Sequence, residues 1–127
     1  MTSPGSRSMN SPAAVEKRSN LQVEALAERV RAALPREALV ERRMFGGIGF
    51  MLNGNMMAAS SRNGLLLRVG KENHFCAMQH PGTKPMEMRG RWLKGYLYVD
   101  PDQIDDEGLR GWLQLALAYI NTLPAKG

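Results

Sequence analysis

The residues best suited to metal or covalent chemistry are one cysteine and two histidines that lie close together in the sequence. Cys76 falls between His74 and His80, the only such residues among 127. Thiolate and imidazole both bind zinc, and an imidazole can activate a thiol as a nucleophile. A closed zinc site needs four ligands, however, and the neighbours Phe75 and Ala77 indicate an apolar, unreactive setting for the thiol. We therefore predict a buried structural cysteine, with no catalytic residue and no metal ligand.

A second stretch has the composition of a phosphate-binding loop. It reads RRMFGGIGFMLNGNMM and begins at Arg42. Its glycines lack the spacing of a dinucleotide-binding fingerprint and the lysine of a phosphate loop, and an apolar run follows them instead of a helix. A tight turn or a close backbone approach explains them better. We expect no bound cofactor here, and we expect Met44 and Phe45 to enter the core beneath the first strand.

Five basic residues form the candidate surface for a macromolecular partner. The formal net charge is +5, and arginine and lysine neutralise phosphates while aromatic rings such as those of Trp92 and Tyr96 stack on bases. The alternative interpretation, which we favour at this point, is a solvated strand edge guarded by basic residues, with Trp92 in the core. The five candidates are Arg42, Arg43, Arg89, Arg91 and Lys94.

The elements that must position these residues begin with an amphipathic helix. In LQVEALAERVRAAL, from Leu21 to Leu34, the apolar residues recur with the spacing of one helical face. Pro35 disfavours helical geometry at the residue before it, so the helix is predicted to end there. We expect one further helical turn in PREALVER, with Arg42 and Arg43 at the end of this connector.

Two tight turns predict three consecutive antiparallel strands. Asn53-Gly54 and Asn63-Gly64 supply the residues that hairpin turns with positive φ require, and apolar runs flank both pairs. We place the strands at residues 47–52, 56–61 and 65–69.

A short helix is predicted next, over residues 71–78. We expect Phe75, Cys76 and Met78 to face inward from it. The loop QHPGTKP, with two prolines and a glycine, then interrupts the chain.

Two further strands and a long helix complete the predicted domain. The strands are expected near residues 86–88 and 93–99, around a turn at Arg89-Gly90-Arg91. The closing helix, IDDEGLRGWLQLALAYINTL, has a broad apolar stripe, and Asp105 is its expected N-cap. The predicted order is α-β-β-β-α-β-β-α, an α+β fold with a five-stranded antiparallel sheet in two layers.

Composition points to one soluble domain. Residues 1–20 are rich in Ser, Pro and Gly and lack the apolar run of a secretory signal, so we expect a disordered tail, part of which could be an expression tag. Residues 21–127 are expected to form a single domain. No apolar run reaches the ~20 residues of a membrane span, and a lone cysteine suits a reducing cytoplasm.

Three stretches of the sequence resemble a known family. RRMFGGIGFMLNGNMMAASSRNGLLLRVGKEN, YLYVDPDQIDD and LRGWLQLALAYI are similar to the N-terminal domain of the TfoX (Sxy) family, named for a bacterial regulator of natural competence. The resemblance implies a two-layer fold like that of type III secretion chaperones, commonly dimeric and without known catalysis. Full-length family regulators carry a second, helical C-terminal domain after this one. The sequence ends at Gly127, so we expect a stand-alone form of the N-terminal domain.

These observations predict a non-enzymatic regulatory module. We expect it to bind another macromolecule, most readily a protein, through a sheet edge or an exposed face, and to form a homodimer. The alternative is direct nucleic-acid binding through the five cations. A third possibility is a small-ligand or enzymatic cleft near His74, Cys76 and His80.

Overall fold

The computed structural model describes residues 18–34, 39–44 and 46–125 of the chain. The predicted tail is therefore almost wholly outside the described residues, as is Phe45. The described part is an α+β fold with three α-helices and six strands. Their bounds are α1 Asn20–Ala33, β1 Leu39–Met44, β2 Gly47–Leu52, β3 Asn55–Ser61, β4 Gly64–Arg68, α2 Lys71–Met78, β5 Thr83–Met88, β6 Arg91–Val99 and α3 Asp106–Ile120, with a short 3-10 helix at Pro101–Gln103.

All six strands belong to one antiparallel sheet with the order β1-β2-β3-β4-β6-β5. Helices α1 and α3 pack against each other and against the central strands on one face of the sheet. The core lies between these two layers. Its largest fully buried side chains include Phe50, Ile48, Met57, Leu65, Leu97, Leu109 and Leu113.

The prediction of five strands was wrong, because the chain from Leu39 to Met44 is a strand and not a helical connector. It pairs with β2 in a continuous antiparallel register, from Leu39 opposite Leu52 to Met44 opposite Gly47. Its polar sequence, LVERRM, does not alternate as a half-buried strand does, because β1 is an edge strand that is mostly exposed on both faces. The segment is a strand because it pairs with β2. The hydrophobic periodicity of its own sequence does not reveal that pairing.

Ionic contacts tie β1 to α1. The guanidinium of Arg31 donates to both carboxylate oxygens of Glu41, from Nε at 2.6 Å and from the terminal nitrogen at 2.8 Å. Arg43 lies 2.9 Å from the carboxylate of Glu24. The two hydrogen bonds from Arg31 hold the pKa of Glu41 below its ordinary value.

The glycines before β2 have the structural roles that were predicted for them. Gly46 adopts a φ of +75°, in the left-handed region that favours glycine. A Cβ on Gly47 would lie 2.4 Å from the carbonyl oxygen of Ser60, so β2 and β3 approach too closely there for any side chain. Met44, by contrast, is only partly buried and its methyl group lies over Gly49, on the face that the helices do not cover.

The two long helices confirm their predictions. Helix α1 begins one residue before its predicted start, where Ser19 and Gln22 form a capping box. Asp105 is the N-cap of α3 and accepts a hydrogen bond from the amide of Gly108 at 2.7 Å. Local capping chemistry therefore sets both starts.

Helix α2 has its predicted bounds but presents a different side to the core. Ala77 is its buried residue, and Met78 is partly buried against the core, as predicted. Phe75, by contrast, is 74% exposed, and Cys76 is also exposed. The backbone amide of Gly95 donates to His74 Nδ1 at 2.9 Å, and this contact with β6 orients the helix. Because this helix has only two turns and little amphipathic pattern, such a contact can decide which side of the helix faces the core. The prediction of a buried Cys76 was therefore wrong.

We predict opposite effects for two glycine-to-alanine substitutions. Gly47→Ala should lower the free energy of unfolding by about 1–3 kcal/mol, since backbone atoms of β3 must move. Gly111→Ala, in the middle of α3 with no atom within 4 Å of the new methyl group, should raise it by up to about 1 kcal/mol. Urea denaturation of both variants measures these changes, and equal effects would contradict the close approach of β2 and β3.

The Arg31–Glu41 pair predicts a pH-dependent contribution to stability. Because the folded state depresses the pKa of Glu41 below 4.5, the contribution is present above that pH and is lost as pH falls through the folded pKa. Glu41→Gln should cost less than about 1 kcal/mol at pH 7, since the pair is partly exposed. The difference from wild type should disappear at the lowest pH at which both proteins remain folded. A difference that persists there would point to side-chain packing instead.

Candidate macromolecule-binding surfaces

The five predicted cations do not form one surface. Arg42 and Arg43 lie on edge strand β1, whereas Arg89, Arg91 and Lys94 lie on or beside β6. Three strands lie between β1 and β6, so the two groups are at least about 19 Å apart across the sheet at the usual strand spacing. A ligand that contacts both groups must cross the sheet.

Arg42 and Arg43 also project to opposite faces of the sheet. Arg43 is on the helix side, where it pairs with Glu24 of α1. Arg42 is opposite Gly49 and projects from the other face. These neighbours therefore belong to different surfaces.

Three of the five cations lie on a protruding β-hairpin. Strand β4 pairs with β6 only from Tyr96 to Val99, so residues 86–94 continue beyond the sheet as a two-stranded ribbon, here called the arm. At its tip Arg89 and Gly90 adopt φ values of 55° and 76°, which confirms the predicted turn. The arm reaches about 16 Å from Gly95 to its tip at the rise of an extended strand.

Strand β5 begins earlier than predicted, which shortens the loop before it. Thr83, Lys84 and Pro85 were assigned to the loop QHPGTKP, but they pair with β6. A proline is tolerated there because β5 is the outermost strand and its outer backbone groups need no partner.

Gly95 is the point where the arm joins the sheet. Its φ is +94°, and a Cβ there would lie 3.1 Å from backbone atoms of Gly70 and Lys71. Its carbonyl accepts hydrogen bonds from the amides of Val69 and Gly70. The base of the arm is thus fixed to the segment that precedes α2.

The arm exposes aromatic and basic side chains together. Trp92, predicted in the core, is 67% exposed, and Met88 is 49% exposed. Trp92 lies beyond the end of β4 and opposite Glu87, in the two-stranded part of the hairpin. Across the described ranges, no salt bridge involves Arg89, Arg91 or Lys94.

The acidic residues lie at the other end of β6. Arg18 pairs with Asp100 at 3.4 Å and with Asp102 at 2.9 Å, and Arg29 pairs with Asp106 at 3.3 Å. These ion pairs were not foreseen, because they join residues far apart in the sequence. They neutralise part of the negative charge at this end of β6, whereas the arm at the other end is basic.

A second surface is the sheet face opposite α1 and α3, here called the open face. The strand pairings place partly exposed Met44, Met51, Met56, Tyr96 and Tyr98 on it, around Gly49, Ala59 and Leu66. Val40, at its β1 edge, is 58% exposed. Every charged strand residue that the register assigns to this face is basic: Arg42, Arg68 and Lys84.

The cysteine and the two histidines do not converge on a reactive site. His74 Nδ1 accepts the Gly95 amide, and the ring of His80 contacts Trp112 at 5.1 Å between centroids. Among the described residues, no three side chains of the His, Cys, Asp or Glu types are grouped as metal ligands. Both imidazoles have structural contacts, and the absence of enzymatic activity remains a prediction.

Two small clefts flank α1. One, of about 180 Å³, includes Arg18, Arg29 and Asp102. The other, of about 260 Å³, includes Val23, Arg43 and Gly46. Both are smaller than the roughly 300–1,000 Å³ of usual small-ligand sites, and neither adjoins the open face residues Tyr96 and Tyr98.

Comparison with known proteins yields one family assignment. None of the helices in residues 18–34, 39–44 and 46–125 is long and apolar enough to cross a membrane. Searches of curated proteins and of solved structures found no significant match. The family model for the TfoX N-terminal domain matches residues 32–120, which contain all six strands, α2 and α3. The chain therefore belongs to the TfoX N-terminal domain family.

Proposed function

We propose that this domain is a non-enzymatic regulatory module that binds an acidic, partly apolar segment of a protein partner on its open face. The observation that carries the proposal is the combination of partly exposed Met and Tyr side chains with charged strand residues of one sign. Family membership supports a regulatory role, with competence as the process that the family name suggests and the cytoplasm as the expected location.

The side chains of the open face suit an adaptable protein contact. Met51 and Met56 are paired across β2 and β3, and flexible thioethers can fit more than one partner shape. Tyr98 is opposite both Leu66 and Lys84, and tyrosine combines a large apolar ring with a polar tip. Interfaces are enriched in both residue types.

Charge complementarity defines the partner. Arg42 and Lys84 lie towards the two edges of the open face, and Arg68 lies at a strand end with its guanidinium 5.5 Å from the Tyr96 ring and 5.7 Å from the Tyr119 ring. Basic residues around an apolar floor favour a segment that carries Asp or Glu beside its apolar side chains.

Direct nucleic-acid binding by all five cations is less well supported. Arg43 is paired with Glu24, and Arg42 is about 19 Å across the sheet from β6. A nucleic acid that contacts all five cations would therefore have to cross the sheet from β1 to the arm.

The proposal predicts that two neighbouring charge reversals have different effects. Arg42→Glu should reduce capture of the partner from native lysate by about tenfold or more, because it places a negative charge on the open face. Arg43→Glu, the matched control on the helix side of the same strand, should leave capture unchanged. Quantitative mass spectrometry and titration with the purified partner measure both.

Two outcomes would overturn the proposal. One is an equal loss for Arg42→Glu and Arg43→Glu, and the other is a captured partner whose binding segment carries no acidic residue. Light scattering tests the homodimer that the resemblance predicts. A dimer dissociated by Val40→Asp but not by Leu21→Asp, a matched change on α1, would assign the open face to a second copy instead.

A further inference from the structure

We propose that the arm is a binding site for single-stranded nucleic acid, in which Trp92 stacks on a base while Arg89, Arg91 and Lys94 contact phosphates. This site is distinct from the open face and does not depend on the protein partner proposed above. It uses three of the five cations that the sequence indicated, together with an aromatic residue that was expected in the core.

The exposure of Trp92 is the first observation that supports this site. A tryptophan that is 67% exposed contributes little to the core, and its ring can offer a face to a base. The other tryptophan, Trp112, is only 9% exposed and belongs to the core cluster. The fold therefore leaves one of its two tryptophans in solvent, beside cations that form no salt bridge within the described part of the chain.

The charge of the arm is the second observation. From Met86 to Lys94 the arm contains three basic residues, Arg89, Arg91 and Lys94, and one acidic residue, Glu87, for a net charge of +2 (3 − 1). The acidic residues around the 3-10 helix lie at the far end of β6, about 26 Å away at strand rise. They are also partly neutralised by Arg18 and Arg29. A polyanion therefore meets little repulsion at the arm.

The geometry favours a single strand over a duplex. Trp92 and Lys94 are two residues apart on one face of the ribbon, and Arg91 is on the other face. Cations on both faces beside an exposed ring match the contacts of a flexible strand, whose bases are free to stack. In a duplex the bases are already stacked on each other, so the ring of Trp92 would gain nothing.

Fluorescence anisotropy with the full chain tests the site. The probes are labelled oligothymidylate and oligouridylate of about 20 nucleotides, long enough to exceed a usual single-strand site, and a duplex of equal length. We expect binding of the single strands at ~50 mM salt and weaker binding of the duplex. With three phosphate contacts the affinity should fall about 20-fold between ~50 and ~200 mM salt. The two single-stranded probes distinguish DNA from RNA.

Matched variants separate the arm from general positive charge. Arg89→Gln/Arg91→Gln should reduce affinity at least tenfold, whereas Arg42→Gln/Arg43→Gln, which removes the same charge from β1, should reduce it less than twofold. Trp92→Ala should weaken binding by roughly 5- to 150-fold, the range measured for loss of one stacked base. Quenching of tryptophan emission by the unlabelled oligonucleotide should disappear in the same variant.

Several results would overturn the inference. They are absence of binding at ~50 mM salt, equal losses for the two double-glutamine variants, unchanged affinity after Trp92→Ala, or a duplex bound as tightly as the single strand. Folding does not confound the comparison, since the substituted side chains are exposed, and thermal unfolding of each variant checks this. If the oligonucleotides do not bind, the predicted difference between Arg42→Glu and Arg43→Glu in partner capture still stands. The two proposals are therefore tested separately.

Discussion

The structure depends on one constraint: α1 and α3 cover the same face of a six-stranded sheet. Because side chains alternate between the faces of a strand, each strand contributes one set of residues to the core and one set to the open face. This alternation buries Ile48 and Phe50 beneath the helices. It also assigns Arg42 and Arg43, adjacent in the sequence, to different surfaces.

A second consequence concerns β6, whose two halves have different surroundings. Beyond Tyr96 the strand is central, between β4 and β5, and its Leu97 and Val99 are fully buried. Before Gly95 its only neighbouring strand is β5, and Trp92 and the basic residues of this half are exposed. Gly95 suits this junction, because its φ is +94° and a Cβ there would lie only 3.1 Å from the backbone of Gly70.

Much of the fold could be predicted because its signals are local. The Asn-Gly turns, the Asp105 cap and the apolar stripe of α3 located three strands and two helices to within one residue or so. Strand β1 and the start of β5 were missed, since an edge strand with polar residues or a proline has no pattern of its own. For the candidate site, the sequence identified the five cations. It did not show that two of them lie on β1 and three on the arm.

The sequence by itself determined where the chain turns, where its long helices begin and which family it belongs to, because these depend on residues close together in the chain. Only the tertiary structure decided that Trp92 and Cys76 are exposed and that the five cations divide between β1 and the arm. It also decided that, among the described residues, α1 and α3 lie on the same face of the sheet. Exposure depends on which distant segments lie against a residue, and hydrophobicity alone does not specify them.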